Sequence, residues 1–161
     1  MKLELKHLAP YLPYGLKGYA EDIKLIDSIT LHNVEFIIVE QPRAKPILRP
    51  LSDLTKEIEH NGEKFVPMLR LHELAWGINF MEKQDMDFRI VDGGHIATCL
   101  HRNRFTVFRD GNFQNGDLEE EFVSFPIKNQ LQLFEKLFEL HFDVFGLIEA
   151  GKAIDFNTIN K

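Results

Sequence analysis

Cysteine is almost missing from this 161-residue chain: Cys99 is the only one. No disulfide can close within the chain, and no cysteine-rich zinc site can be built. A reducing compartment is the natural setting, so the expected location is the cytoplasm. Long apolar runs are missing too. No stretch approaches the ~20 residues needed to cross a bilayer, so no membrane partner is expected. Met1–His7 alternates charged and apolar residues and lacks the apolar centre of a signal peptide. Glycines do not form a phosphate loop, because Gly93-Gly94 leads into a strand-like segment and no Gly-Lys-Ser/Thr follows. Neither a nucleophile elbow nor a metalloprotease helix motif occurs.

Positive charge is in short supply. Net charge is −6, and residues 111–161 hold four Lys/Arg against nine Asp/Glu. That balance disfavours a general phosphate-binding surface, and with it nucleic acid as a partner. Phenylalanine, by contrast, is abundant: 14 of the 18 aromatic residues are Phe. Phe brings large apolar area with no polar atom to satisfy, which suits a core or a partner-binding patch. Apolar content of 44% and charged content of 27% are ordinary for a globular protein. The length suits a single domain over residues 1–161 that buries roughly 70% of its unfolded surface.

Along the chain, Pro10 and Pro13 suggest a short helix and then an extended turn closed by Gly15 and Gly18. Residues 29–32 and 34–40 are rich in β-branched and aromatic side chains, and read as a β-rich stretch, a hairpin broken near His32-Asn33. Pro50–Gly62 reads as the clearest helix, capped by Ser52 or Asp53, with Leu51, Leu54 and Ile58 on one face and Asn61-Gly62 as its stop. A second helix is expected from Pro67 to Trp76. Residues 86–125 carry turn signals at strand-length intervals, including Asp92-Gly93-Gly94 and Asn115-Gly116, and predict an antiparallel meander. Leu131, Phe134, Leu137, Phe138, Phe142 and Phe145 recur at helical spacing and predict an amphipathic helix over 128–142. Asp143 is expected to cap a short helix from Val144 to Ala150, and Ala153–Phe156 to add a strand. The expected class is α+β: a mostly antiparallel sheet packed against the C-terminal amphipathic helix, with short helices besides. Parallel winding is disfavoured, because the central turns are too short for a crossover.

Three segments, Leu8–Lys17, Lys45–Pro67 and His141–Gly151, together resemble a family of short uncharacterised proteins from Bacteroides-type bacteria and their phages or mobile elements. The resemblance covers about a third of the chain, in order. It implies an accessory role in a mobile element and transfers no functional residue. Residues 68–126 match no motif.

Few groupings of residues suggest chemistry. His95, Cys99 and His101 share strand parity, but at ~3.3 Å per residue His95 stands about 13 Å from Cys99, too far for one zinc. Cys99 between Thr98 and Leu100 reads as a buried thiol, with a Cys99–His101 pair as the catalytic alternative. Asp85, Asp87 and Asp92, like Asp53, Glu57 and Glu59, show no diagnostic carboxylate spacing. No catalytic residue, metal or cofactor is implied. Arg102, Arg104 and Arg109 are the candidate ligand-binding residues, for nucleic acid or an anionic ligand. Asp117 and Glu119–Glu121 form an acidic run that can face a basic partner. The first expectation is therefore a non-enzymatic module acting by protein–protein contact, with a partner protein or a second copy of the chain. An anion-binding module and a small hydrolase or metal enzyme are the alternatives.

Overall fold

The computed structural model describes residues 1–20, 25–40, 43–76, 86–91, 94–99, 103–108, 113–117, 124–127 and 129–159. Its elements, in chain order, are α1 (Leu5–Leu8), a 3-10 helix (Ala9–Tyr14), β1 (Lys17–Ala20), β2 (Leu25–Ser28), α2 (Val34–Val39) and β3 (Ala44–Leu48). A 3-10 turn (Leu51–Asp53), β4 (Ile58–His60), β5 (Glu63–Phe65) and α3 (Pro67–Trp76) follow. Then come β6 (Met86–Val91), β7 (Gly94–Cys99), β8 (Asn103–Phe108), β9 (Phe113–Asp117) and β10 (Ser124–Pro126). The chain closes with α4 (Gln130–Glu139), β11 (Ile154–Asp155) and α5 (Phe156–Ile159). These elements form two compact units, one from Met1–Leu51 with Leu137–Lys161 and one from Ser52–Lys136.

The first unit is built on a four-stranded sheet in the order β11-β3-β1-β2. The β1–β2 and β1–β3 pairs are antiparallel, whereas β11 joins β3 in parallel, with Ile154 opposite Ile47. This parallel edge joins strands far apart in sequence, whereas the central strands, for which parallel winding is disfavoured, are antiparallel. Beyond β3, Arg49 bridges Phe142: its N–H donates to the His141 carbonyl, and its own carbonyl accepts from Asp143 N–H, both at 2.8 Å. Leu3, Leu8, Tyr11, Leu16, Ile29, Val34, Ile37, Ala44, Leu48, Leu147 and Ala153 make one buried cluster.

Three local expectations are corrected in this unit. Residues around Pro10 and Pro13 are 3-10 helical rather than extended, and Gly15 at φ 71° ends the helix while Gly18 lies within β1. Proline's fixed φ near −65° suits that helix as well as it suits a turn. The β-rich reading of residues 34–40 gives way to α2. Val34 and Ile37 are buried and Ile38 half-buried, so three- and four-residue spacing, not alternation, decides which side chains enter the core. Residues 144–151 form turns rather than a helix. Asp143 still caps them: Oδ1 accepts Leu147 N–H at 2.8 Å and Oδ2 accepts Ile148 N–H at 2.7 Å.

The second unit starts with the β4–β5 hairpin, in which Ile58 pairs with Phe65 and His60 with Glu63. The helix expected over Pro50–Gly62 is thus reduced to the turn at Leu51–Asp53. Asn61 and Gly62 at φ 53° and 82° make the left-handed pair that a two-residue hairpin needs. The α3 helix occupies its expected span, and Met68 N–H donates to the Leu54 carbonyl at 2.9 Å. The meander is a five-stranded antiparallel sheet in the order β10-β9-β8-β7-β6. Val91 pairs with Gly94 where a turn is expected, but Asn115 and Gly116 lie inside β9, opposite Phe105 and Arg104. Gly116 tolerates an extended strand as readily as a turn, and ladder pairing on both sides overrides the dipeptide signal.

The α4 helix ends in a Schellman arrangement. His141 N–H donates to the Phe138 carbonyl and Phe142 N–H to the Leu137 carbonyl, at 3.0 and 2.9 Å. His141 itself sits at φ 59°, where glycine is the usual occupant. Its ring meets the Tyr14 carbonyl through Nε2 at 3.0 Å.

Candidate functional site

Apolar side chains are expected to leave water, and in the first unit three large ones near α2 do not. Leu31 and Val39 are 75% exposed and Phe36 is 58% exposed. Local hydrogen bonds explain how the chain arrives there. Asn33 Oδ1 accepts from Thr30 N–H at 2.7 Å, and Asn33 Nδ2 donates to the Ser28 carbonyl at 3.0 Å. The Thr30 carbonyl then accepts Val34 N–H at 2.9 Å and opens the helix. One face of this short helix packs Val34 and Ile37 inward, so Phe36 and Val39 must turn outward.

Phe36 lines a cleft of about 130 Å³. Gly18, Ala20 and Ala44 form its small-residue floor, Ile29, Phe36 and Ile37 its apolar walls, and Asp27, Ser28 and Asn33 its polar rim. The floor has to be small. A Cβ on Gly18 would stand 3.1 Å from Ile29 Cδ1 and 3.3 Å from Ile37 Cδ1. Gly18 thus lets α2 approach the sheet. Reading residues 34–40 as strand hid this site, since alternation would bury every second residue. The available signals were the Thr30-x-x-Asn33 turn and the spacing of Val34, Ile37 and Ile38.

A second polar grouping in the same unit is structural. The Tyr11 hydroxyl donates to the Phe142 carbonyl at 2.7 Å and accepts Val144 N–H at 3.3 Å. Burial pushes this phenol far above its ordinary value, so it stays neutral. Burial likewise pushes the Asp143 carboxyl up, while the N–H groups of Ile148 and Leu147 pull it back. Arg49 lies 4.1 Å over the Phe156 ring. His7 Nδ1 accepts Glu4 N–H at 3.0 Å, and its ring meets Phe145 edge to face at 5.6 Å. These contacts fasten loops to the core.

Arg102 and Arg109 lie outside the described residues, as do His101, Asp85, Asp92 and Glu119–Glu121. The backbone of Arg104 sits on β8 opposite Thr98 and Gly116, but its side chain, like those of His95, Cys99 and Asp117, is outside the description. Among the described residues no group of three or more His, Cys, Asp or Glu can hold a metal. Asp53 is buried and holds Lys56 Nζ at 2.6 Å, a turn contact. No described helix is long and apolar enough to cross a membrane. Compared with family models, curated proteins and solved structures, the chain matches none.

Proposed function

We propose that this protein is a non-enzymatic interaction module that docks a segment of another protein on α2, with one apolar side chain of that segment seated in the cleft. The observation that carries this reading is that exposed Phe36 lines an apolar cleft, with exposed Val39 three residues further along α2. Isolated exposed apolar residues are ordinary, but a large one set into an apolar concavity supports an interaction surface. Size supports a side chain over a metabolite: about 130 Å³ falls below the ~300–1,000 Å³ typical of pockets that enclose small ligands. Covering the exposed part of Phe36 contributes roughly 1–2 kcal/mol. For context, the resemblance to mobile-element proteins suggests an accessory role there, and the single cysteine suggests the cytoplasm. We also read the meander as covered by α4, supported by the Phe113–Phe134 edge-to-face contact at 4.9 Å.

Panning a random peptide library on the full chain tests the docking reading, with Phe36→Asp as the counter-target. Phe36 is exposed, so the variant should melt within about 0.5 kcal/mol of wild type. Clones held by wild type should be retained at least tenfold less by the variant. Equal retention on both would end the reading.

A further inference from the structure

Resting on the docking reading above, we infer that the partner segment is basic: an apolar anchor flanked by Lys or Arg. From Leu25 to Glu40 the chain has no Lys or Arg and three carboxylates, Asp27, Glu35 and Glu40. Asp27 rims the cleft, Glu35 is exposed beside Phe36, and Glu40 closes α2 half-buried. The neighbouring strands do bring lysines, but on the other face. Gly18 pairs with Pro46 and Ala20 with Ala44 on the side that meets α2. Strand alternation therefore sends Lys17 and Lys45 to the opposite side of the sheet. Arg43 stands in the turn after α2, and Lys24, just before β2, lies outside the described residues.

An apolar anchor alone is a poor discriminator, because any exposed Leu or Phe can enter such a cleft. Asp27 at its rim and exposed Glu35 next to Phe36 in sequence supply what the anchor lacks. They attract a cationic segment at a distance, repel an acidic one, and fix which flank of the anchor lies along α2. Exposed charges are screened by salt, so this selectivity must weaken as ionic strength rises.

Peptides retained by the full chain and lost by Phe36→Asp are sequenced, and then resynthesised with every Lys and Arg changed to Gln. The retained peptides should be rich in Lys and Arg around one apolar residue. Their Gln versions should bind about fivefold or more weakly, as should the originals when NaCl rises from 50 to 500 mM. Glu35→Lys should weaken the original peptides by a similar factor and leave the Gln versions unchanged. Neutral or acidic peptides in the retained set, or binding indifferent to the Gln change, would overturn the inference while leaving docking at Phe36 intact. A set with no Phe36-dependent peptide would remove the docking reading itself. Native mass spectrometry showing a dimer that Phe36→Asp dissociates would overturn it also, because a second copy would then occupy the face.

Discussion

Tyr11 is fully buried, yet its hydroxyl serves two backbone groups from a segment more than 130 residues away. Tyr11→Phe would leave the Phe142 carbonyl and Val144 N–H without that oxygen, at a cost of about 1–2 kcal/mol in urea unfolding. An unchanged midpoint would show that water replaces it. Asp143 makes a prediction with a sign. Desolvation raises its carboxyl above the ordinary 3.8, outweighing the N–H groups of Ile148 and Leu147. A carboxyl raised by folding holds its proton more tightly in the folded chain than in the unfolded one. Its contribution is therefore greatest below 3.8 and is lost as pH climbs through the raised value. Wild-type stability measured against Asp143→Asn should thus fall from acid to neutral pH. A difference that stays flat or grows would contradict the assignment. Asp143 shows what single residues disclose: its capping role was legible in the sequence, but the turn conformation it caps was not, because one carboxylate closes a helix or a turn equally well.

Elements were legible where long-range pairing and local signals agreed. The α3 span follows from Pro67 and the apolar residues after it, and the pairing of β6 with β7 from Asp92-Gly93 between them. They were misread where two local signals competed. Val34–Val39 has strand propensity, but its burial follows helical spacing, and packing against Gly18 settles the contest. Asn61-Gly62 suits a helix stop, but the same left-handed pair makes a hairpin, and the partner strand that decides between them is only three residues long. The close approach of α2 supports a further prediction. Gly18→Ala would force Ile29 and Ile37 to give by a few tenths of an ångström, and an α2 held tightly against the sheet should make this cost about 1 kcal/mol or less in thermal unfolding. A neutral result would mean that α2 can lift without loss, and the cleft would then be adjustable rather than fixed.

At the scale of the molecule, the sequence's period and composition foretold mixed α and β structure but said nothing of the pairing of β3 with β11. Pairings of such separation leave no local trace. Ala153, at the entrance to β11, is 7% exposed and belongs to the same core as Leu3 and Leu8. Ala153→Asp would bury an unpaired charge there and should cost several kcal/mol. Hydrogen exchange at the β1 and β3 amides should accelerate accordingly, and unchanged protection would show that β11 is dispensable to the sheet.

That pairing also sets a timetable for the nascent chain. Strand β3 ends at Leu48 and its partner begins at Ile154, with the whole of Ser52–Lys136 encoded between them. At ribosomal speeds of about 5–20 residues per second, β3 waits roughly 5–20 s for the strand that covers its edge. During that interval Ala44, Ile47 and Leu48, all buried in the finished fold, stand beside an unfilled backbone ladder. The exposed edge of β3 can therefore pair with a wrong strand while the chain is still being made, whatever the stability of the finished fold.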